Sequence, residues 1–232
     1  MTAPMSPQDT WKQRAGSAAA DLIEEGMVVG LGTGSTAAYL VRALAQRIQQ
    51  GLQIKGAVAS SLATYEMANN LNIPMTDLDD YPELDIYIDG ADEIDPQLRL
   101  IKGAGGALLR EKILASAARR FVVIADSSKK VTQLGHRYPL PVEIIPLAKT
   151  PIALQISRLG AQIQIRHNNN IPFITDNHNY ILDCTFPQGI GDPAQLDAQL
   201  HNIVGVVETG LFIHMVSQVI IGGPEGVQVF PQ

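Results

Sequence analysis

The chain has 232 residues, of which 46% are hydrophobic and 17% charged, and its formal net charge is −6. That length suits one large domain, or a domain with a smaller lobe, and the balance of residues is that of a globular rather than a disordered chain. The acidic total, with no dense Lys/Arg run, argues against a nucleic-acid partner; an anionic ligand would have to be met by a few locally gathered cations.

The opening stretch MTAPMSPQDTWKQRAG lacks the basic-then-apolar layout of a signal peptide. No uncharged apolar run approaches the ~18 residues of a membrane span, so a cytoplasmic protein without membrane contact is expected. Ser6 reads as an N-cap, Pro7 as a first-turn proline and Asp9 as the acid of a first turn, opening a helix that Gly26 should stop. A strand over 27–31, a helix over 36–50, a strand over 57–60 and a helix over 61–71 follow. Next come a strand over 84–88, a helix over 107–120 and a strand over 121–125. Short, unalternating apolar strands interleaved with helices predict an α/β fold, a Rossmann-like parallel sheet with helices on both faces. Ligands on such sheets bind at the carboxyl ends of the strands.

Beyond Val131 the pattern changes. The proline-bounded YPLPVEIIP predicts a strand, 150–159 a helix, and AQIQIRH an alternating strand. PFITDNHNYILDC predicts a hairpin turning at 176–179, and 192–202 another helix. This reads as a smaller α+β lobe, 134–207, inserted into an α/β domain made of 1–133 and 208–232. GLFIHMVSQVIIGG and GVQVF supply the last strands. Cys184 is the only cysteine, which rules out an intrachain disulfide and fits a reducing compartment; within YILDC it reads as a small buried hydrophobe.

Three loops end three strands and carry the chemistry. In the first, Gly32-Thr33-Gly34-Ser35-Thr36, hydroxyls and backbone N–H groups meet a helix start, which suits one phosphate monoester. No lysine follows, as a P-loop requires, and Ser35 stands where a dinucleotide fingerprint needs its third glycine. The alternative is a glycine-rich turn with Thr36 as N-cap. In the second, LDIYIDGADEID, Asp89 and Asp92 follow an apolar strand with Gly90 and Ala91 between them. Carboxylates there can accept sugar hydroxyls, move protons or hold a divalent metal; Glu93 and Asp95 read as a solvated acidic continuation. In the third, KGAGGALLREKI, Lys102 precedes Gly103, Ala104, Gly105 and Gly106. A fixed cation beside backbone N–H donors makes an oxyanion site, with a flexible loop as the bland alternative.

Glu111 stands out. At about 100° per residue it falls on the small-residue face of its helix with Ala115 and Ala118, while Lys112, Ser116 and Arg119 mark the solvent side. No basic residue lies three or four positions away, so a helical ion pair is not on offer. A carboxylate held there is expected to be desolvated and its pKa raised, as a general base requires. Lys129, after another strand, is a further cation at the crevice; Lys130 should face solvent. The five histidines show no ligand-like spacing, and no metal site is expected.

Taken together, GLGTGSTA, DGADEID, KGAGGALLREKI and IADSSK, in that order, resemble type A ribose-5-phosphate isomerase, as do PLPVEIIP and GVVETGLF. The resemblance implies a cofactor-free aldose–ketose isomerase of ribose 5-phosphate and ribulose 5-phosphate, working as a homodimer or tetramer. It implies substrate contacts at Thr33, Gly34, Ser35, Thr36, Asp89, Gly90, Ala91, Asp92, Lys102, Gly103, Ala104, Gly105 and Lys129. Glu111 would be the proton acceptor, Lys102 would stabilise the oxyanion, and Asp89 and Asp92 would assist ring opening. Two other classes remain open. One is a non-catalytic sugar-phosphate sensor, which would have no use for a desolvated Glu111. The other is a nicotinamide-dependent oxidoreductase, which would need an acidic residue where Ser60 and Ser61 end the second strand.

Overall fold

Helix α1 (Pro7–Ala20) starts as its sequence predicts: the Ser6 side chain accepts from the Asp9 N–H, and Pro7 occupies the first turn. It stops six residues short of Gly26. Arg47 donates to the carbonyls of Ala20 and Ile23, taking up the helix's open carbonyl end, and Ile23 turns inward to become fully buried. This computed structural model describes residues 5–231. Met1–Pro4 and Gln232 lie outside the described residues, and with them the start of the stretch inspected for a leader and both extremes of the expected larger domain.

Strand β1 (Val28–Leu31), helix α2 (Ser35–Gln49), strand β2 (Gly56–Ala59), helix α3 (Leu62–Asn70) and strand β3 (Ile86–Asp89) follow within a few residues of expectation. A short pair not foreseen in the sequence comes next, β4 (Glu93–Ile94) and β5 (Leu100–Ile101), then helix α4 (Leu108–Ala117) and strand β6 (Phe121–Asp126). Helix α4 ends three residues early because its next residues pair with Leu84: Leu84 N–H donates to the Ala117 carbonyl, and Arg119 N–H to that of Leu84.

Then come β7 (Leu140–Ile144), α5 (Lys149–Arg158), β8 (Gln162–Ile165), β9 (His167–Asn168), β10 (Ile171–Pro172), β11 (Tyr180–Thr185) and α6 (Pro193–His201). The chain closes with β12 (Val206–Thr209), β13 (Leu211–Phe212), β14 (Gln218–Gly223) and β15 (Gly226–Phe230).

The chain divides into two units. One runs through Gly90, takes up Arg110–Lys129 and resumes at Met215; the other holds Ala91–Leu109 and Lys130–His214. The first is built on a six-stranded sheet ordered β15-β14-β6-β3-β1-β2. Every neighbouring pair is parallel except the edge pair β14–β15. Helix α1 packs on β6 and β14, α2 on β3 and β6, and α3 on β2. Leu31, Leu40, Leu44, Ile86, Ile88 and Ile124 form its core, each fully buried. Full burial of one such side chain stabilises by about 1.5–3 kcal/mol.

The second unit holds an antiparallel sheet ordered β12-β7-β11-β8, a three-stranded sheet ordered β13-β5-β4, and the pair β9–β10. Cys184 is buried in its core beside Val142 and Leu182, and burial pushes its thiol pKa far up, as befits a small hydrophobe. Two local expectations are corrected here. The turn at 176–179 forms, closed by the Thr175 N–H on the Asn179 carbonyl at 3.0 Å and with His178 at positive φ, but the strands on either side of it do not continue as a ladder. β10 pairs with β9, while β11 pairs with β7 and β8. GLFIHMVSQVIIGG is not one strand either: β13 joins β5 and β14 joins β6, in different sheets.

Candidate active site

In the first unit the parallel pairing of β1 with β3 sets Gly30 opposite Tyr87. A Cβ at Gly30 would lie 2.6 Å from the Tyr87 ring, and one at Gly32 would lie 2.1 Å from the Asp89 carboxylate. These glycines are therefore required by two neighbouring side chains that cross them. Asp89 is fully buried; its Oδ1 accepts from the N–H of Thr33 at 2.9 Å and of Gly90 at 2.6 Å, and its Oδ2 accepts from the Tyr87 hydroxyl. Three donors to one carboxylate hold the charge in place without water. Burial, with the charges of Asp89 and Glu111 behind it, holds the Tyr87 phenol well above the usual tyrosine range.

Thr33 donates its N–H to Asp89 and commits its hydroxyl to a cluster with Ser60 at 2.7 Å, Ser61 at 2.8 Å and Thr64 at 3.2 Å. Thr64 in turn donates to the Gly32 carbonyl at 3.0 Å. The serines that end β2, standing where a nicotinamide fold would place an acid, therefore hold the glycine loop. The N-cap of α2 is Gly34, not Thr36, and no side chain caps it. The first bond back along the helix runs from Ala38 N–H to the Gly34 carbonyl, so the N–H groups of Ser35, Thr36 and Ala37 open the helix. No acidic residue stands in that first turn.

Glu111 lies in the first turn of α4 and is 4% exposed, flanked by buried Leu108, Leu114 and Ala115, with Ser116 and Arg119 on the exposed side as the helical period predicts. Its charge is felt at Tyr87 alongside that of Asp89. Lys129 ends a 3-10 turn that follows β6 and is half-buried; Lys130 is exposed. The turn hangs on Asp126, a fully buried carboxylate that the sequence reading passed over. It accepts from Ser128 N–H at 3.0 Å and from the Gln8 side chain of α1 at 3.3 Å.

In the second unit Lys102 is 2% exposed, with its ammonium 5.5 Å from the centre of the Phe212 ring, so a positive charge is held out of bulk water. The loop beyond it needs glycine at two points. Gly103 has φ +103 and its missing Cβ leaves room for Leu108; Gly106 has φ +85 and leaves room for the Phe173 ring. The expected set of donors is partly spent. Ala104 N–H donates to Asp92 Oδ2 at 2.8 Å, and Gly106 N–H to the Gly103 carbonyl at 3.0 Å. Among the described residues nothing takes the N–H groups of Gly103 and Gly105. Asp92 is half-buried.

Glu93 and Asp95 are not solvated. Glu93 is fully buried and accepts from the N–H groups of Gly135, Arg137 and Tyr138 at 2.6, 2.6 and 2.9 Å. Asp95 accepts from Gln97 and Arg99 N–H and pairs with the Arg99 guanidinium at 2.6 Å, closing the β4–β5 turn. Their acidity serves backbone donors of loops, which adjacency in sequence cannot reveal. Three side chains of metal-ligand type also meet: Asp197, His201 and Glu208 place one ligand-type atom each within 4.8 Å of one another. They are bonded among themselves, His201 Nε2 to Glu208 at 2.8 Å and His201 Nδ1 to the Asp197 carbonyl at 2.9 Å. No helix among the described residues is long and apolar enough to cross a membrane.

The family model of ribose 5-phosphate isomerase A (phosphoriboisomerase A) matches residues 56–226. The ribose-5-phosphate isomerase A of Synechococcus sp. (strain JA-3-3Ab) is 50% identical over 231 residues, covering 98% of this chain and 100% of the relative. The structure of ribose 5-phosphate isomerase A from Methanocaldococcus jannaschii matches with a TM-score of 0.92 at 38% identity, over 97% of this chain and 99% of the other. A D-ribose-5-phosphate isomerase solved in complex with phospho-erythronic acid matches with a TM-score of 0.94, also at 38% identity, over 98% of this chain and all of the other. From its glycine loop to its last strands, the chain belongs to the ribose 5-phosphate isomerase A family.

Proposed function

We propose that the protein interconverts D-ribose 5-phosphate and D-ribulose 5-phosphate through an enediolate, with Glu111 as the general base. The observation that carries this reading is Glu111 itself: a carboxylate 4% exposed on the small-residue face of α4, whose charge is felt at the buried Tyr87 phenol. A carboxylate taken out of water is costly to keep, and a general base is a use that repays it. In the forward direction Glu111 takes the proton from C2 of the open-chain aldose. The electron pair moves onto the C1 carbonyl oxygen, the C2 hydroxyl proton passes to that oxygen, and the same carboxyl returns its proton to C1 as the ketone forms at C2.

The charge that develops on oxygen falls to Lys102 and the N–H groups of the glycine loop after it. Asp89, which accepts from the Thr33 and Gly90 N–H groups and from the Tyr87 hydroxyl, is suited to hold the substrate loop in place. Asp92, half-buried and engaged through Oδ2 alone among the described residues, is the better candidate for moving protons during ring opening. The phosphate is assigned to the first turn of α2, with Ser35 and Thr36 hydroxyls added to the backbone N–H groups, and Lys129 is assigned as a further substrate contact. Gly103 and Gly105 complete the assigned contacts as backbone donors, and Gly34, Gly90, Ala91 and Ala104 as small residues that leave the substrate room. The reaction leaves the substrate's overall oxidation state unchanged, so the scheme calls for no redox cofactor.

We further assign the protein to the non-oxidative pentose phosphate pathway, in the cytoplasm, as a homodimer or tetramer. The testing experiment is Glu111→Gln. Turnover should be abolished while ribose 5-phosphate binding stays within a few-fold, and hydrogen–deuterium exchange at C1/C2 of the substrate should cease. A variant that keeps a tenth of wild-type kcat removes Glu111 from the mechanism.

A further inference from the structure

Arg166 follows β8 and is placed by its own N–H on the Ile181 carbonyl at 2.9 Å. Its guanidinium is engaged on three sides. Nε and Nη2 grip Asp183 through both carboxylate oxygens, at 3.0 and 2.5 Å. The plane lies 6.0 Å from the centre of the Phe173 ring. Nη1 donates to two successive carbonyls of the lysine–glycine loop, Gly103 at 2.8 Å and Ala104 at 3.1 Å. Phe173 is in turn seated where a Cβ on Gly106 would be, and its N–H donates to the Arg166 carbonyl at 2.8 Å. Arginine, side chain, ring and loop form one braced assembly within a single unit of the chain.

A trans peptide carries its C=O and N–H in opposite directions. The Gly103–Ala104 peptide obeys this visibly: its oxygen is on Arg166 and its N–H is on Asp92 Oδ2. The Ala104–Gly105 peptide has its oxygen on the same Nη1, so the N–H of Gly105 is turned toward the Asp92 side of the loop, and no described residue takes it. Only a fork of donors can hold two carbonyls and a bidentate carboxylate at once; a lysine ammonium has neither the reach nor the plane.

We propose that Arg166, braced by Asp183 and Phe173, is a positioning residue that fixes the Gly105 N–H as a donor to the enediolate oxyanion. This rests on the isomerase reading above. Fixed orientation matters because a donor aimed in advance at developing charge costs no reorganisation when the charge appears.

The test compares Arg166→Lys, Arg166→Ala and Asp183→Asn with wild type. The readouts are kcat and KM for ribose 5-phosphate, the affinity for phospho-erythronic acid, and Tm. Loss of one well-aimed oxyanion donor costs on the order of a hundredfold or more, so a misaimed one should lower kcat of Arg166→Lys about ten- to a hundredfold. KM should stay within about threefold, and phospho-erythronic acid should bind more weakly if its carboxylate sits where the oxyanion forms. Added methylguanidinium should restore part of the Arg166→Ala rate, and Asp183→Asn should fall between Arg166→Lys and wild type.

A purely structural role predicts a lower Tm with kcat per folded molecule unchanged and no guanidinium rescue. That outcome, or a loss confined to KM, overturns the proposal. Wild-type turnover and its loss in Glu111→Gln are measured alongside. A working wild type with an inert Glu111→Gln and a fully active Arg166→Lys therefore sinks the positioning role and spares the isomerase reading.

Discussion

Ser35→Ala and Thr36→Ala separate the phosphate cradle from a plain helix cap, because α2 is capped by Gly34 without any side-chain bond. Neither hydroxyl is spent on another described residue, and Ser35 is exposed while Thr36 is buried. Alanine is the better helix former by up to about 0.7 kcal/mol, so Tm of Ser35→Ala should hold or rise slightly, whereas Thr36→Ala also gives up a buried methyl group worth about 0.8 kcal/mol and should come out near even or slightly lower. With substrate bound, each hydroxyl that donates to the phosphate contributes about 1.5–3 kcal/mol, a fall of about 10- to 150-fold in kcat/KM. The phosphate is remote from C1 and C2, so its contacts act in ground and transition states alike and the loss should appear in KM. Initial rates on ribose 5-phosphate and on unphosphorylated ribose, with melting curves, complete the measurement. What activity remains on ribose should barely change. Thr33→Val is the contrast: its hydroxyl bonds Ser60, Ser61 and Thr64, so it should lower Tm and depress both sugars together. Equal losses on the two sugars in Ser35→Ala or Thr36→Ala would refute the cradle.

Tyr87 keeps its proton in the folded state well above the value of about 10 at which it titrates in the unfolded chain. The unfolded chain therefore loses its proton first, so this contribution to stability is complete below about pH 10 and is lost as the pH rises toward the folded value. Denaturant melts from neutral to alkaline pH should fall more steeply for wild type than for Tyr87→Phe; identical slopes would uncouple the phenol from stability. Glu93→Gln places an amide NH₂ against one of three backbone donors and should cost about 2–4 kcal/mol in urea melts, where a change under 1 kcal/mol would show the loop held by other means. Turnover should survive exhaustive EDTA treatment, since Lys102 supplies the cation the intermediate needs; loss on chelation with recovery on Mg²⁺ or Mn²⁺ would make Asp89 and Asp92 metal ligands.

Much of the architecture was legible because its signals are local. Ser6, Pro7 and Asp9 mark a helix start through contacts spanning three residues. The apolar runs at β1, β3 and β6 are short and unalternating, as strands covered on both faces must be. Glu111 could be set on the inner face of α4 from the 3.6-residue period alone, and it is buried there with Ala115. The three loops declared themselves by composition: glycine where backbone must come close, and hydroxyl, carboxylate or lysine where a ligand would be met.

Other features depended on residues brought together from far apart in the chain. Nothing local in the sequence requires glycine at 30 and 32; the reason is the Tyr87 and Asp89 side chains on the paired strand, 57 positions on in each case. Glu93 looked like solvated acid and is buried against backbone N–H groups more than forty residues away. Thr33 reads in sequence as one more hydroxyl of the glycine loop, and its bonds to Ser60, Ser61 and Thr64 come from residues 27 to 31 positions on. Arg166 carried no signal at all, since its partners Gly103 and Ala104 lie 63 and 62 residues earlier. By itself the sequence determined which elements form and which chemical groups stand at their ends, because propensity, capping and periodicity act over a few residues. The tertiary structure alone decided what each buried charge and hydroxyl is bonded to, because a polar group taken out of water must find its partner wherever the fold brings one within about 3 Å.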